Sequence, residues 1–122
     1  MANDLELRLV DLIQNDAWMM AILEAARGVS LPDWCIAGGF VRAKVWDHLH
    51  GYTQRTEPSD IDLLYFDPSH ADEESKVEAN LRRVIPEVKW EPVNQARMHS
   101  FNEDPPYAST ADSLSHWVRN RQ

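Results

Sequence analysis

Several shortages in this sequence each close off a class of protein. There is a single cysteine, Cys35. One cysteine cannot form an internal disulfide, so no disulfide scaffold is expected. There is no secretory leader, no transit peptide and no apolar run long enough to span a bilayer. A cytoplasmic setting without membrane contact is the expectation. Basic charge is also scarce: 12 Lys and Arg stand against 20 Asp and Glu, giving a net charge of −8. Non-specific duplex binding draws its energy from cations that neutralise phosphates. No affinity for bulk DNA or RNA is therefore expected, which leaves room for a local basic pocket. The five histidines, His48, His50, His70, His99 and His116, form no H-E-x-x-H or other tight ligand pair. His48 and His50 lie two apart on a helix and do not share a face. All five read as surface groups or as supports behind a site. Repeats and low-complexity segments are absent.

What remains is an ordinary globular composition, 43% hydrophobic and 26% charged. At 122 residues the chain suffices for one domain, 1–122, with a modest core. Leu5, Leu9, Leu12 and Ile13 predict a helix over 4–14. Asp16 caps a second, with Met19, Ile22, Leu23 and Ala26 inward and Gly28 as its stop. These two helices are expected to cover one face of a sheet.

Trp34-Cys35-Ile36-Ala37 reads as a buried strand. Cys35 is expected to be a buried strand residue rather than a nucleophile. Gly38-Gly39 follows, then a helix from Phe40 to His50 with Val41, Val45 and Leu49 as its buried stripe and Gly51 at its end. Glycines between strand and helix let backbone approach an oxyanion, with the helix N–H groups and dipole aimed at it. A plain tight turn fits the same two residues. The pattern lacks the G-x-G-x-x-G of a dinucleotide fingerprint and the Gly-Lys-Ser/Thr of a P-loop.

A polar loop from Tyr52 to Ser59 leads into Asp60-Ile61-Asp62-Leu63-Leu64-Tyr65-Phe66. Alternation along a strand puts Asp60 and Asp62 on one face and Ile61, Leu63 and Tyr65 on the other. The two Asp Cα atoms are then about 7 Å apart. Their charges repel by about 3 kcal/mol at roughly 6 Å and an effective dielectric near 20. A divalent cation offsets that, and Mg²⁺ suits one or two carboxylates shared with phosphates and water. Two solvated acids at a strand start are the plainer reading. An EF-hand is excluded, because Leu64 and Tyr65 stand where an oxygen ligand and Gly belong.

Val77, Leu81, Val84 and Ile85 mark an amphipathic helix stopped by Pro86. Val88-Lys89-Trp90-Glu91 reads as a third strand, and Pro92 marks it as a sheet edge or a strand end. Glu91 either faces the site as a third carboxylate or is an edge charge, and spacing leaves both open. Asn94 to His99 has a short helical look. Ser109-Thr110-Ala111-Asp112 fits a capping box, with Leu114, Trp117 and Val118 on the last helical face.

Together these motifs are more specific than any one alone. Ala37-Gly38-Gly39-Phe40-Val41-Arg42 followed by Asp60-Ile61-Asp62 resembles the head-domain signature of the DNA polymerase β-like nucleotidyltransferase superfamily. The tRNA CCA-adding enzymes carry a similar Gly-Gly-x-Val-Arg and Asp-x-Asp. A closer likeness is to a bacterial nucleotidyltransferase-like family, in Trp34 to Arg42, Val45 to Gly51, Asp60 to Asp62 and Trp90 to His99. The resemblance runs over residues 5–117.

It implies an α+β (α/β) nucleotidyltransferase fold: a small mixed sheet flanked by helices. It also implies that Asp60, Asp62 and Glu91 hold Mg²⁺ or Mn²⁺ as the catalytic acids. Gly38 and Gly39 would cradle the triphosphate of an NTP such as ATP, and Arg42 would contact phosphate or lock the turn. The implied reaction moves a nucleoside monophosphate onto an unidentified hydroxyl acceptor. Ala43 departs from the Asp or Asn usual after that Arg, and Pro92 from an apolar residue. The chain is expected to be shortened at its C-terminal end relative to the family. A non-catalytic module that binds metal and nucleotide is the alternative, and glycosyl transfer through Asp-x-Asp a third reading. Without a basic body or an extra helical domain, a tRNA substrate is not expected.

Overall fold

The computed structural model describes residues 3–56 and 60–120. Five α-helices and three strands are assigned among them: α1 (Asp4–Gln14), α2 (Ala17–Gly28), β1 (Cys35–Ala37), α3 (Gly39–Leu49), β2 (Ile61–Tyr65), α4 (Glu74–Val84), β3 (Trp90–Asn94) and α5 (Thr110–Asn120). A 3-10 helix, Gln95–Asn102, follows β3 directly. The sheet order is β1-β2-β3, mixed in sense: β1 runs antiparallel to β2, and β3 runs parallel to it. Both connections run through a helix, α3 between β1 and β2 and α4 between β2 and β3. Only the second joins a parallel pair, which requires such a crossover. The mixed sheet flanked by helices is the architecture expected from the sequence.

Alternation along β2 sets the two faces. Ile61, Leu63 and Tyr65 are buried and join Trp90 of β3 in one cluster. Helix α2 adds Met19, Ile22, Ala25 and Ala26 to it, α3 adds Phe40, and α4 adds Val77 and Leu81. Each fully buried apolar side chain of this size contributes about 2 kcal/mol. Residues directly opposite in the ladders are Ala37, Asp62 and Glu91, and Cys35, Leu64 and Val93. They line the other face, so the acids share it with Cys35. Burial pushes the Cys35 thiol above its ordinary value, and Asp33 adds to the effect. That keeps it protonated, although β1 is half-buried throughout rather than the buried strand expected, because the face it shares with the acids is left partly open.

Helix ends follow local chemistry. The Asp16 carboxylate accepts from the Met19 amide at 3.0 Å and caps α2. Gly51, at φ +66°, ends α3 in the left-handed region. The Ser109 hydroxyl accepts from the Asp112 amide at 3.0 Å, one arm of the capping box. The return arm goes one residue further out, where the Asp112 carboxylate accepts from the Ala108 amide at 2.9 Å.

Four expectations need correction. Gly28 is the last residue of α2 rather than its stop, and the left-handed residue beyond it is Ser30, at φ 59°. On α3 the residues that bury are Phe40 and Asp47, whereas Leu49 is exposed. Of the predicted stripe, Val41 packs against the core, while Val45 and Leu49 line an open groove with α1, which contributes no fully buried residue of its own. The third strand starts two residues later than predicted and runs through Pro92 to Asn94. Proline is tolerated because β3 is an edge strand, where alternate N–H groups have no ladder partner. His99 and His116 are partly buried rather than at the surface, and each ring packs against Tyr107. Pro58 and Ser59 of the polar loop, and the side chains of Trp117 and Val118, lie outside the described residues.

Candidate metal and nucleotide site

The site forms where β1 ends and α3 begins. Ala37, the last residue of β1, lies opposite Asp62, and the chain then turns at Gly38. Gly38 has φ 73° and ψ −136°, a conformation that side chains rarely adopt. A Cβ built there would lie 2.6 Å from Asp62 Oδ2. Glycine is needed twice over, for the backbone angle and for the space. Gly38 supplies no side-chain cap to α3, so no side chain there claims the first amides of the helix. Gly39 opens the helix, and Arg42 stands exposed just past its first turn.

Strand β2 delivers Asp62, and Asp60 stands just before it on the same face. Parallel pairing then sets Glu91 of β3 directly beside Asp62. Carboxylate oxygens of Asp60, Asp62 and Glu91 all lie within 4.8 Å of one another. Spacing alone left Glu91 open between a site residue and an edge charge, and the ladder register brings it into the cluster. The Glu91 carboxyl is held above its usual range, first by burial and then by the charges of Asp60 and Asp62. Lys89 pulls it partly back.

The donor set is all oxygen, and hard divalent ions such as Mg²⁺ and Mn²⁺ favour it over softer metals. Converging carboxylates beside free helix amides fit such an ion carrying phosphate. The residues present therefore fit the group that the sequence motifs call for.

The relation to known proteins is consistent with this geometry. The sequence profile of a family described as Nucleotidyltransferase matches residues 24–122. The chain belongs to this nucleotidyltransferase family. A solved structure agrees, an NMR structure described as revealing a CCA-adding enzyme head domain. It is 32% identical, superposes with a TM-score of 0.76, and matches 93% of this chain and 60% of the other. The chain thus spans less than two thirds of the length of that protein. No curated protein matches it.

Two further residues, which no sequence motif marked, shape the site. Lys89 Nζ lies 3.4 Å from Asp60 Oδ1 and 3.7 Å from Glu91 Oε1. The signal was present, since Lys89 is two residues before Glu91 on an alternating segment. The second is Asp47, buried on α3. Its carboxylate accepts from the Thr56 amide at 2.8 Å and from the Thr56 hydroxyl. These bonds hold its pKa below the ordinary value, with the Thr56 hydroxyl the largest cause. Helix α3 thereby presents Gly39 at one end and, through Asp47, anchors the loop that leads to Asp60. Nothing in a lone helical Asp marks that role in advance.

Beside this anchor is a pocket of about 160 Å³, lined among others by Trp18, Phe40, Lys44, Asp47 and Arg55. Its cations are engaged: Lys44 pairs with Asp16 at 3.0 Å, and the Arg55 guanidinium sits 4.1 Å over the Trp18 ring.

Proposed function

We propose that this nucleotidyltransferase moves a nucleoside monophosphate from a nucleoside triphosphate to a hydroxyl acceptor, using Mg²⁺ or Mn²⁺. The observation that carries the reading is the convergence of Asp60, Asp62 and Glu91 beside Gly38. Residues 1–122 act in it as a single nucleotidyltransferase-like domain.

Asp60, Asp62 and Glu91 hold the metal. Bound there, divalent ions supply charge neutralisation for the phosphates and lower the pKa of the attacking hydroxyl. Gly38 and Gly39 let the triphosphate approach the α3 amides, which donate to its oxygens. Arg42 adds a cation near the same helix start and contacts phosphate. The acceptor oxygen bonds to the α-phosphorus, the bond from that phosphorus to the bridging oxygen breaks, pyrophosphate leaves in line, and the hydroxyl proton passes to solvent.

A net charge of −8 disfavours a polyanionic acceptor. The acceptor is therefore a small molecule or a protein hydroxyl rather than bulk nucleic acid. No helix among the described residues is long and apolar enough to cross a membrane. The proposed setting is the cytoplasm.

The test is pyrophosphate release from ATP, CTP, GTP or UTP with Mg²⁺ and candidate acceptors. Release that needs metal and disappears in Asp62→Asn supports the reading. Folded protein that binds none of the four contradicts it. Binding without turnover favours a metal- and nucleotide-binding module of the same fold.

A further inference from the structure

The three acids are not equivalent. Asp62 faces Gly38 and the start of α3, where a triphosphate would enter. Asp60 and Glu91 share an ammonium between them, that of Lys89. The Lys89 backbone is fixed, because its carbonyl accepts from the Ile61 amide at 2.9 Å. Its side chain is 64% exposed and has an open path to solvent. It is thus held at the root and free at the tip. Its long contacts, 3.4 and 3.7 Å, are those of a loosely held ion pair.

We propose that Lys89 is a tethered counter-cation that occupies the Asp60–Glu91 side of the cluster until a divalent ion displaces it. The proposal rests on the nucleotidyltransferase reading above. An ammonium and a divalent ion cannot both sit on two carboxylates without strong repulsion. An ion that enters on the Asp62 side meets less of this repulsion than one that settles between Asp60 and Glu91. Lys89 therefore makes metal loading unequal, weakening the Asp60–Glu91 position. It also keeps the metal-free protein stable by partly neutralising its cluster of acids. Lys89 is a positioning residue in this role, acting through the acids.

The test uses the full chain and Mn²⁺ alone, with free Mn²⁺ read by electron paramagnetic resonance at neutral pH. Lys89→Met removes the charge and keeps the length of the side chain. Its weakest Mn²⁺ should bind about tenfold more tightly than in the native chain. Lys89→Arg keeps the charge and should retain the native value. Thermal unfolding gives a second readout: without metal, Lys89→Met should melt below the native protein, and Mn²⁺ should raise its midpoint by more. Equal Mn²⁺ binding in all three proteins overturns the role of Lys89 and leaves the metal reading intact. Absence of Mn²⁺ binding in all three overturns the metal reading, and this proposal with it.

Discussion

Gly38 and Asp62 are in contact range across the end of β1: a Cβ on the first would lie 2.6 Å from a carboxylate oxygen of the second. The backbone turn and the acid are therefore one unit. Gly38→Ala should distort both, because φ is +73° and the added methyl meets Asp62. The expected loss is about 1–3 kcal/mol of stability, together with weaker Mn²⁺ binding. Gly51→Ala is the control, since it also has positive φ but nothing within 4 Å. It should lose stability and keep its Mn²⁺ affinity. Urea unfolding with a parallel Mn²⁺ titration checks both.

Asp47 gives the fold a dependence on acid. Its bonds to Thr56 lower its folded pKa below the unfolded value. Its contribution is therefore present above the unfolded pKa and is lost as pH falls through the folded one. Asp47→Asn should lower the urea midpoint at pH 7 and flatten the decline of stability toward pH 3. It should also weaken metal binding, because the loop that ends at Asp60 loses its anchor on α3. Midpoints measured at both pH values decide it. An unchanged acid slope would remove Asp47 from the account.

Two buried aromatic residues should respond in opposite ways. Trp90 is 0% exposed and donates its ring N–H to the Ile85 carbonyl at 3.2 Å. Trp90→Ala should cost about 3–5 kcal/mol. Tyr65 is 1% exposed, but its hydroxyl has no hydrogen-bond partner among the described residues. Burial, with Glu74 and Asp67 nearby, pushes its pKa up to about 12. Tyr65→Phe removes an unsatisfied polar group and should be neutral or stabilising, by up to about 1 kcal/mol. Chemical denaturation of the two variants side by side tests the pair.

Much of this fold is legible residue by residue. The alternation of Asp60-Ile61-Asp62-Leu63 told the face of each side chain on β2, because a strand offers only two directions. Asp16 and Gly51 announced helix ends through chemistry that acts within a few residues. What was not legible depended on partners far along the chain. Pro92 pointed to a sheet edge or a strand end, and only the sheet order decides for the edge, since which side of β3 is unpaired is a property of the whole sheet. Leu49 kept helical spacing with Val45, yet α1 leaves it exposed. Glu91 was ambiguous until a parallel register set it opposite Asp62. Asp47 bonds Thr56 across a loop, and no local pattern encodes that.

The central claim is that Asp60, just before β2, Asp62 on β2 and Glu91 on β3 bind a divalent ion together with a triphosphate. Calorimetry of the full chain with Mn²⁺ and a non-hydrolysable triphosphate tests it directly, against an Asp60→Asn/Asp62→Asn variant of matched fold. The account predicts that triphosphate binds the native chain only when Mn²⁺ is present, and that the double variant loses affinity by at least about 100-fold. Equal binding by the native and doubly substituted proteins would contradict it.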